Sequence, residues 1–167
     1  MGAGKSSVGR VCAERLGRPF VDVDDVVVTT AGRPVPEIFA DLGEAGFRAL
    51  ERRALDDVCR SPAPLVIACG GGAVVDPDNR RRVRDAGCVV WLTADSATLA
   101  ARVGAGDEQA RRPLLAGGDP PVATLDRLAT LRAPAYAAAA HATVATAGRS
   151  VADVADAVLE EYTRWSG

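Results

Sequence analysis

Apolar positions along the chain switch repeatedly between two spacings, and the switches mark out helices and strands in alternation. Val8, Val11, Cys12 and Leu16 recur three and four residues apart after Gly4-Lys5-Ser6, predicting an amphipathic helix ended by Gly17 and Pro19. Phe20-Val21-Asp22 then reads as a short strand. Residues 24–31 form a brief predicted helix closed by Gly32, and Pro36-Glu37-Ile38-Phe39 opens another that Gly43 stops. A longer helix over 44–60 carries Phe47, Leu50, Ala54, Leu55 and Val58 on one side. Leu65-Val66-Ile67-Ala68-Cys69 is a continuous apolar run closed by Gly70-Gly71-Gly72, as expected of a parallel strand covered on both faces, and 88–92 repeats it.

Helices are predicted over 77–86, 96–103 and 122–139, and a last strand over 142–146. Ser150-Val151-Ala152-Asp153 has the form of a capping box at the head of a closing helix, with Val151, Val154, Ala155, Val158, Leu159 and Tyr162 on one face. Strands alternating with helices imply βαβ units, hence an α/β fold with a doubly wound parallel sheet. The stretch from Gly104 to Pro121, rich in Gly and Pro with Arg111 and Arg112 in the middle, is predicted to be a lid.

Composition narrows the field. A chain of 167 residues, 48% apolar and 25% charged, has the balance of one globular domain. A net charge of −2 and a pI near 5.4 give no reason to expect nucleic acid as a partner. The longest apolar runs, 65–69 and 135–140, fall far short of the roughly 20 residues that span a bilayer. The first thirty residues hold charged positions throughout rather than a secretory apolar block, so a cytoplasmic protein is expected. Cys12, Cys59, Cys69 and Cys88 form no C-x-x-C pair and read as reduced, small apolar side chains. His141 is expected to be structural or on the surface, Trp91 and Trp165 to be packing residues, and Arg80, Arg81, Arg82 and Arg84 to be a solvated helix face.

One count is more pointed than the totals. The 20 basic residues are 19 arginines and the single Lys5, inside Gly2-Ala3-Gly4-Lys5-Ser6-Ser7. A G-K-S tripeptide heading a helix has the form of the end of a Walker A loop. There backbone N–H groups cradle phosphates, the lysine neutralises the β and γ oxygens, and the hydroxyl holds magnesium. Asp22 and Asp24 stand at the end of a strand, where ligands of doubly wound sheets lie; for Asp24 or Asp25 helix capping is the plainer alternative. Gly70-Gly71-Gly72, at another strand end, removes side chains so that backbone can press on a polar ligand, or else makes a tight turn.

Taken together, these segments resemble the shikimate kinase family. The matching residues are Gly4-Lys5-Ser6, Phe20-Val21-Asp22-Val23-Asp24, Pro36-Glu37-Ile38-Phe39, Gly46-Phe47-Arg48 with Glu51, Gly70-Gly71-Gly72-Ala73-Val74, Arg112-Pro113-Leu114-Leu115 and Arg132-Ala133-Pro134-Ala135-Tyr136. The resemblance implies a P-loop NTPase fold of the nucleoside-monophosphate-kinase-like three-layer α/β/α type, over residues 1–167 as a single kinase domain, with a substrate-binding helical region over 32–60 and the lid over 104–121. It implies transfer of the γ-phosphoryl group of ATP to the 3-hydroxyl of shikimate, in aromatic amino-acid biosynthesis, by a monomer with Mg2+ as cofactor. Gly2, Ala3, Gly4, Lys5, Ser6, Ser7, Arg102 and Arg112 would serve ATP, with Arg102 near the adenine and Arg112 on the transferring phosphoryl group. Ser6 would hold the metal and Asp22 reach it through water. Asp24 would be the base, Arg48 and Arg132 would hold the substrate carboxylate, and Gly70, Gly71 and Gly72 would line the ring. The catalytic set is thus Lys5, Asp24 and Arg112.

Two rival readings accompany this one: a related small-molecule kinase of the gluconate kinase type, and a non-catalytic nucleotide-binding or regulatory homologue. The full Walker A pattern has a further Gly four residues upstream, after a strand, whereas this sequence opens at Met1. The expectation is therefore that the first strand, central in the family, and the start of the loop are lacking, and that the neighbouring strands lose ladder partners and expose apolar faces. The 167-residue chain is then expected to be marginally stable and to bind ATP poorly, the functional protein beginning ten or more residues upstream.

Overall fold

The computed structural model describes residues 2–104 and 120–167. Helix α1 (Lys5–Leu16) is followed by β1 (Phe20–Asp22), α2 (Val23–Ala31), α3 (Val35–Cys59) and β2 (Val66–Ala68). A single 3-10 turn (Ala73–Val75) leads into α4 (Pro77–Ala86), β3 (Val90–Thr93) and α5 (Ser96–Gly104). Helix α6 (Pro121–Ala139), β4 (Ala142–Ala145) and α7 (Val151–Ser166) complete the order. The expected alternation is observed, with strand ends shifted by one or two residues. The 104–121 stretch falls almost wholly outside the described residues, and Arg111 and Arg112 with it.

Local chemistry explains the boundaries. Gly43 interrupts α3 with φ of 66° and ψ of −175°, so the two helices read from the sequence meet there across a kink that a side chain would resist. Asp76 starts α4 by accepting from the Asp78 and Asn79 amides, and Pro77 follows at the first helical position. Ser150 and Asp153 form the expected reciprocal capping box.

Both strand pairs among the described residues are parallel. Phe20, Val21 and Asp22 of β1 register with Val66, Ile67 and Ala68 of β2, and Val90 to Thr93 of β3 with Ala142 to Ala145 of β4. Among the described residues β2 and β3 do not pair with one another, which is the loss of ladder partners expected beside a lacking central strand, and the sheet stands as two parallel pairs. Residues of both strands line a common cavity of about 590 Å³, whose walls also include Lys5, Gly70, Gly71 and Arg132. That opening is why Val66 and Ile67, expected to be covered on both faces, are only half-buried.

Three apolar clusters hold the halves. Val23, Val27, Ile38 and Leu55, all fully buried, tie α2 and α3 to the 3-10 turn and α4. Val8 and Cys12 of α1 pack on Val144 of β4 and on Val154 and Ala155 of α7. Leu99 and Val103 of α5 meet Leu125 of α6.

Of the four arginines of α4 expected to form a solvated face, Arg81 does so, 71% exposed and paired with Asp78 of its own helix, whereas the other three do more. Arg80 donates to the carbonyls of Val74 and Val75, Arg82 Nε lies 2.7 Å from Asp56, and Arg84 donates to the carbonyls of Ala138, Ala139 and Ala140 at the end of α6. Each of these three guanidiniums meets bare carbonyls or a carboxylate that another element presents, and Arg84 occupies the α6 terminus, where cations are favoured. His141 is structural, as expected: its Nδ1 accepts from the Val89 amide. Trp91 packs edge-on against Tyr136, while Trp165, in contact with His141 and Tyr162, is 46% exposed.

Candidate active site

The carboxyl ends of β1 and β2, the start of α1 and one face of α6 converge on Gly70-Gly71-Gly72. Gly4 precedes α1 in the left-handed conformation, with φ of 83°. No side chain caps the helix, so the leading amides keep the anion-binding character of a helix N-terminus. Ser6, in the first turn, donates to Asp22 Oδ2 at 2.7 Å. The other Asp22 oxygen accepts from the Asp24 amide at 3.1 Å, so Asp22 is the N-cap of α2, the task weighed in the sequence for Asp24 or Asp25. Asp24 is thereby left on the first turn of α2, directed at the glycine loop, where a Cβ built on Gly70 would lie 3.0 Å from its Oδ1.

Ser6 and Asp22 offer hard oxygen donors side by side. That donor set fits Mg2+, which keeps most of its waters and takes only one or two protein oxygens beside substrate phosphates.

Arg48 reaches the same loop from α3. Its Nη1 donates to Glu51 at 2.7 Å and its Nη2 to Glu44 at 3.2 Å, and a Cβ on Gly72 would collide with the guanidinium. Glu51 is 1% exposed. Burial pushes its carboxyl upward and the neighbouring Asp24 adds to that, against the hydrogen bond from Arg48 and the more distant charge of Arg132. The Arg48 guanidinium is held above its ordinary value: burial opposes its charge, but the Glu51 and Glu44 carboxylates outweigh that. The half-buried Arg48 therefore pairs with the buried Glu51 within reach of Asp24 and Arg132.

Arg132 and Tyr136, one turn apart on α6, approach Gly71. A Cβ there would lie 3.4 Å from Arg132 Nη1 and 3.1 Å from Tyr136 Oη. Arg102 stands apart from this cluster. It donates to the Thr146 hydroxyl at 2.9 Å, to the Thr146 carbonyl at 2.8 Å, and at 3.4 Å to the carbonyl of Gly2. It thus ties the start of the phosphate loop to the end of β4.

The described geometry brings together Lys5, Ser6, Asp22, Asp24, Arg48, Gly70, Gly71, Gly72 and Arg132. Ala3 lines the large cavity with Lys5, whereas Arg112 lies outside the described residues. Sequence reasoning assigned no role to Glu51, Tyr136 or Thr146. The first two stand within quoted motifs, so the signal was present; Thr146 has no local signal.

Comparison with known proteins agrees with this geometry. The family model described as shikimate kinase matches residues 1–163. A shikimate kinase of Symbiobacterium thermophilum is 49% identical over 163 residues, covering 96% of this chain and 91% of the relative. A solved structure of shikimate kinase from Acinetobacter baumannii in complex with shikimate superposes with a TM-score of 0.90 at 36% identity, covering 96% of this chain and 87% of that one. A gluconokinase from Sinorhizobium meliloti superposes with a TM-score of 0.58 at 21% identity, over 99% of this chain and 88% of its own, a likeness of fold alone.

Proposed function

The chain belongs to the shikimate kinase family, ATP-dependent kinases that phosphorylate an alcohol group, and we propose that the cluster around Gly70-Gly71-Gly72 carries out that transfer here. The observation that carries the assignment of roles is the convergence of Asp24, Arg48 and Arg132, from three different helices, on one glycine loop beside Lys5. A planar guanidinium suits a carboxylate, and two of them flanking the loop suit an acceptor with one carboxylate and several hydroxyls.

Asp24 takes the proton from the attacking 3-hydroxyl. Arg48 and Arg132 hold the carboxylate, and the glycines admit the ring against backbone. Lys5 neutralises the β and γ oxygens of ATP, with Gly2, Ala3, Gly4 and Ser7 completing the phosphate cradle. Ser6 and Asp22 would hold Mg2+, which supplies charge neutralisation at the phosphates. Arg102 lies on the nucleotide side, and Arg112, outside the described residues, is assigned to the transferring group. The domain reading follows: one kinase domain, with substrate-binding helices over 32–60 that include Arg48.

Support for the cytoplasmic reading comes from four free cysteines, the habit of proteins kept in reducing surroundings. Among the described residues no helix is long and apolar enough to cross a membrane. The proposal includes a monomer, which size-exclusion chromatography with light scattering tests. The acceptor is tested by ADP release from MgATP: shikimate stimulates it, whereas gluconate and nucleoside monophosphates do not. Equal stimulation by gluconate overturns the assignment.

A further inference from the structure

We propose that Tyr136 is a positioning residue that fixes the height of Arg132 over the glycine loop and so sets the grip on the acceptor's carboxylate. Four consecutive carbonyls of that loop have donors. Gly70 accepts from the Ala73 amide and Gly72 from the Val75 amide, both at 3.1 Å, and Ala73 accepts from Asn79 Nδ2 at 2.9 Å. These three bonds close within six residues, so the loop supplies them to itself. The Gly71 carbonyl accepts from the Tyr136 hydroxyl at 2.5 Å, across 65 residues of sequence. Among the described residues it is a hydrogen bond that joins the loop to α6.

Tyr136 and Arg132 are four residues apart on a helix, hence stacked on one face. Both reach the same glycine: a Cβ on Gly71 would meet Tyr136 Oη and Arg132 Nη1 at nearly equal distance. Whatever fixes the separation of Tyr136 from Gly71 therefore fixes that of the guanidinium.

The intervening turn is weak on its own. Pro134 lies inside α6 between the two residues and has no N–H, so the Thr130 carbonyl lacks its helical donor. The Tyr136 ring, by contrast, is steadied edge-on against Trp91 of β3, with centroids 5.5 Å apart. A hydroxyl anchored through its ring to the second pair of strands thus holds the loop that closes the first.

This inference rests on the reading that Arg132 holds the carboxylate, and the experiment separates the two. Steady-state kinetics with shikimate and MgATP are measured for Tyr136→Phe, Arg132→Ala and the double variant, with thermal melts alongside. Tyr136→Phe keeps the ring and deletes the donor. Its KM for shikimate rises about two- to tenfold, the scale of one neutral hydrogen bond. Its kcat changes by less than about twofold and its KM for ATP stays, and within the Arg132→Ala background the substitution adds nothing further.

An unchanged KM in Tyr136→Phe, beside a raised one in Arg132→Ala, overturns the positioning role and leaves the site reading standing. So does a penalty that multiplies in full in the double variant, or one spread equally over kcat and both KM values. An unchanged KM in Arg132→Ala overturns the reading of the site, and the positioning role with it. A Tyr136→Phe protein unstable at room temperature is assayed in the cold; if it is unfolded there too, the hydroxyl is merely structural and the proposal fails.

Discussion

Removing the Arg48 guanidinium while keeping its stem, as Arg48→Met does, tests the electrostatics of the site through stability alone. Glu51 is 1% exposed and has Arg48 Nη1 at 2.7 Å, so the substitution strands a carboxylate in the interior beside Asp24. Breaking a buried pair from one side costs about 3–5 kcal/mol when the remaining charge stays ionised. Glu51 has another course, which is to take up a proton. Burial already raises its carboxyl above the ordinary 4.5, and loss of the arginine raises it further.

The sign follows from linkage. A carboxyl whose folded pKa lies above its unfolded value contributes stability that is fully present below the unfolded pKa, and that contribution is lost as pH rises through the folded pKa. Arg48→Met is therefore expected to cost least near pH 4.5 and to approach the full penalty at neutral pH and above. Urea unfolding of both proteins across this range, at constant ionic strength, gives the difference directly. Arg48→Met combined with Glu51→Gln is expected to recover most of the neutral-pH loss, because the amide has no charge to desolvate. A destabilisation independent of pH, or one below about 1 kcal/mol throughout, would refute the claim that Glu51 is a buried charge held by Arg48.

Asp24→Asn is expected to lower kcat by roughly 10²–10⁴-fold with ATP affinity retained, measured by initial rates and nucleotide titration; a kcat within tenfold removes Asp24 as the base. Gly72→Ala, whose Cβ would collide with the movable end of Arg48, is expected to push the guanidinium aside and so raise the KM for shikimate, and an unaltered KM would refute the contact. The Cys69 thiol is pushed up to about 12, first of all by burial, so it stays protonated at mildly alkaline pH. Peptide mapping after iodoacetamide treatment of the folded protein at mildly alkaline pH is expected to find Cys69 little labelled although it lines the cavity, and ready labelling would refute the raised thiol.

What could be read in the sequence is what neighbouring residues decide among themselves. The Ser150–Asp153 box, Asp76 before Pro77 and the left-handed Gly43 each depend on a few adjacent dihedrals and one or two side-chain bonds, so their signals survive without knowledge of the fold. The Gly4-Lys5-Ser6 and Asp22-Val23-Asp24 segments were legible for the same reason: strand ends and helix starts are local, and ligands gather there in α/β sheets. Charged residues on helices are the opposite case. Arg48 and Glu51 are spaced three apart like a surface pair, and Arg80, Arg82 and Arg84 like a wetted face.

Nothing within a turn of helix distinguishes a guanidinium that meets water from one that meets the bare carbonyls of Ala138, Ala139 and Ala140, because those carbonyls arrive from 54 to 56 residues away. The division of the sheet between β2 and β3 was legible for a different reason: a lacking central strand is expected to leave its neighbours without ladder partners, and among the described residues these two strands do not pair. Apolar runs such as 65–69 say that both faces of a strand are to be covered, while which edges find ladder partners is decided by segments the run itself does not contain. In this chain the chemistry sits where the two kinds of information meet. Asp24 is aimed by a local cap on Asp22, but the charges it faces, Glu51 with Arg48 and beyond them Arg132, are assembled only when α3 and α6 close on the glycine loop.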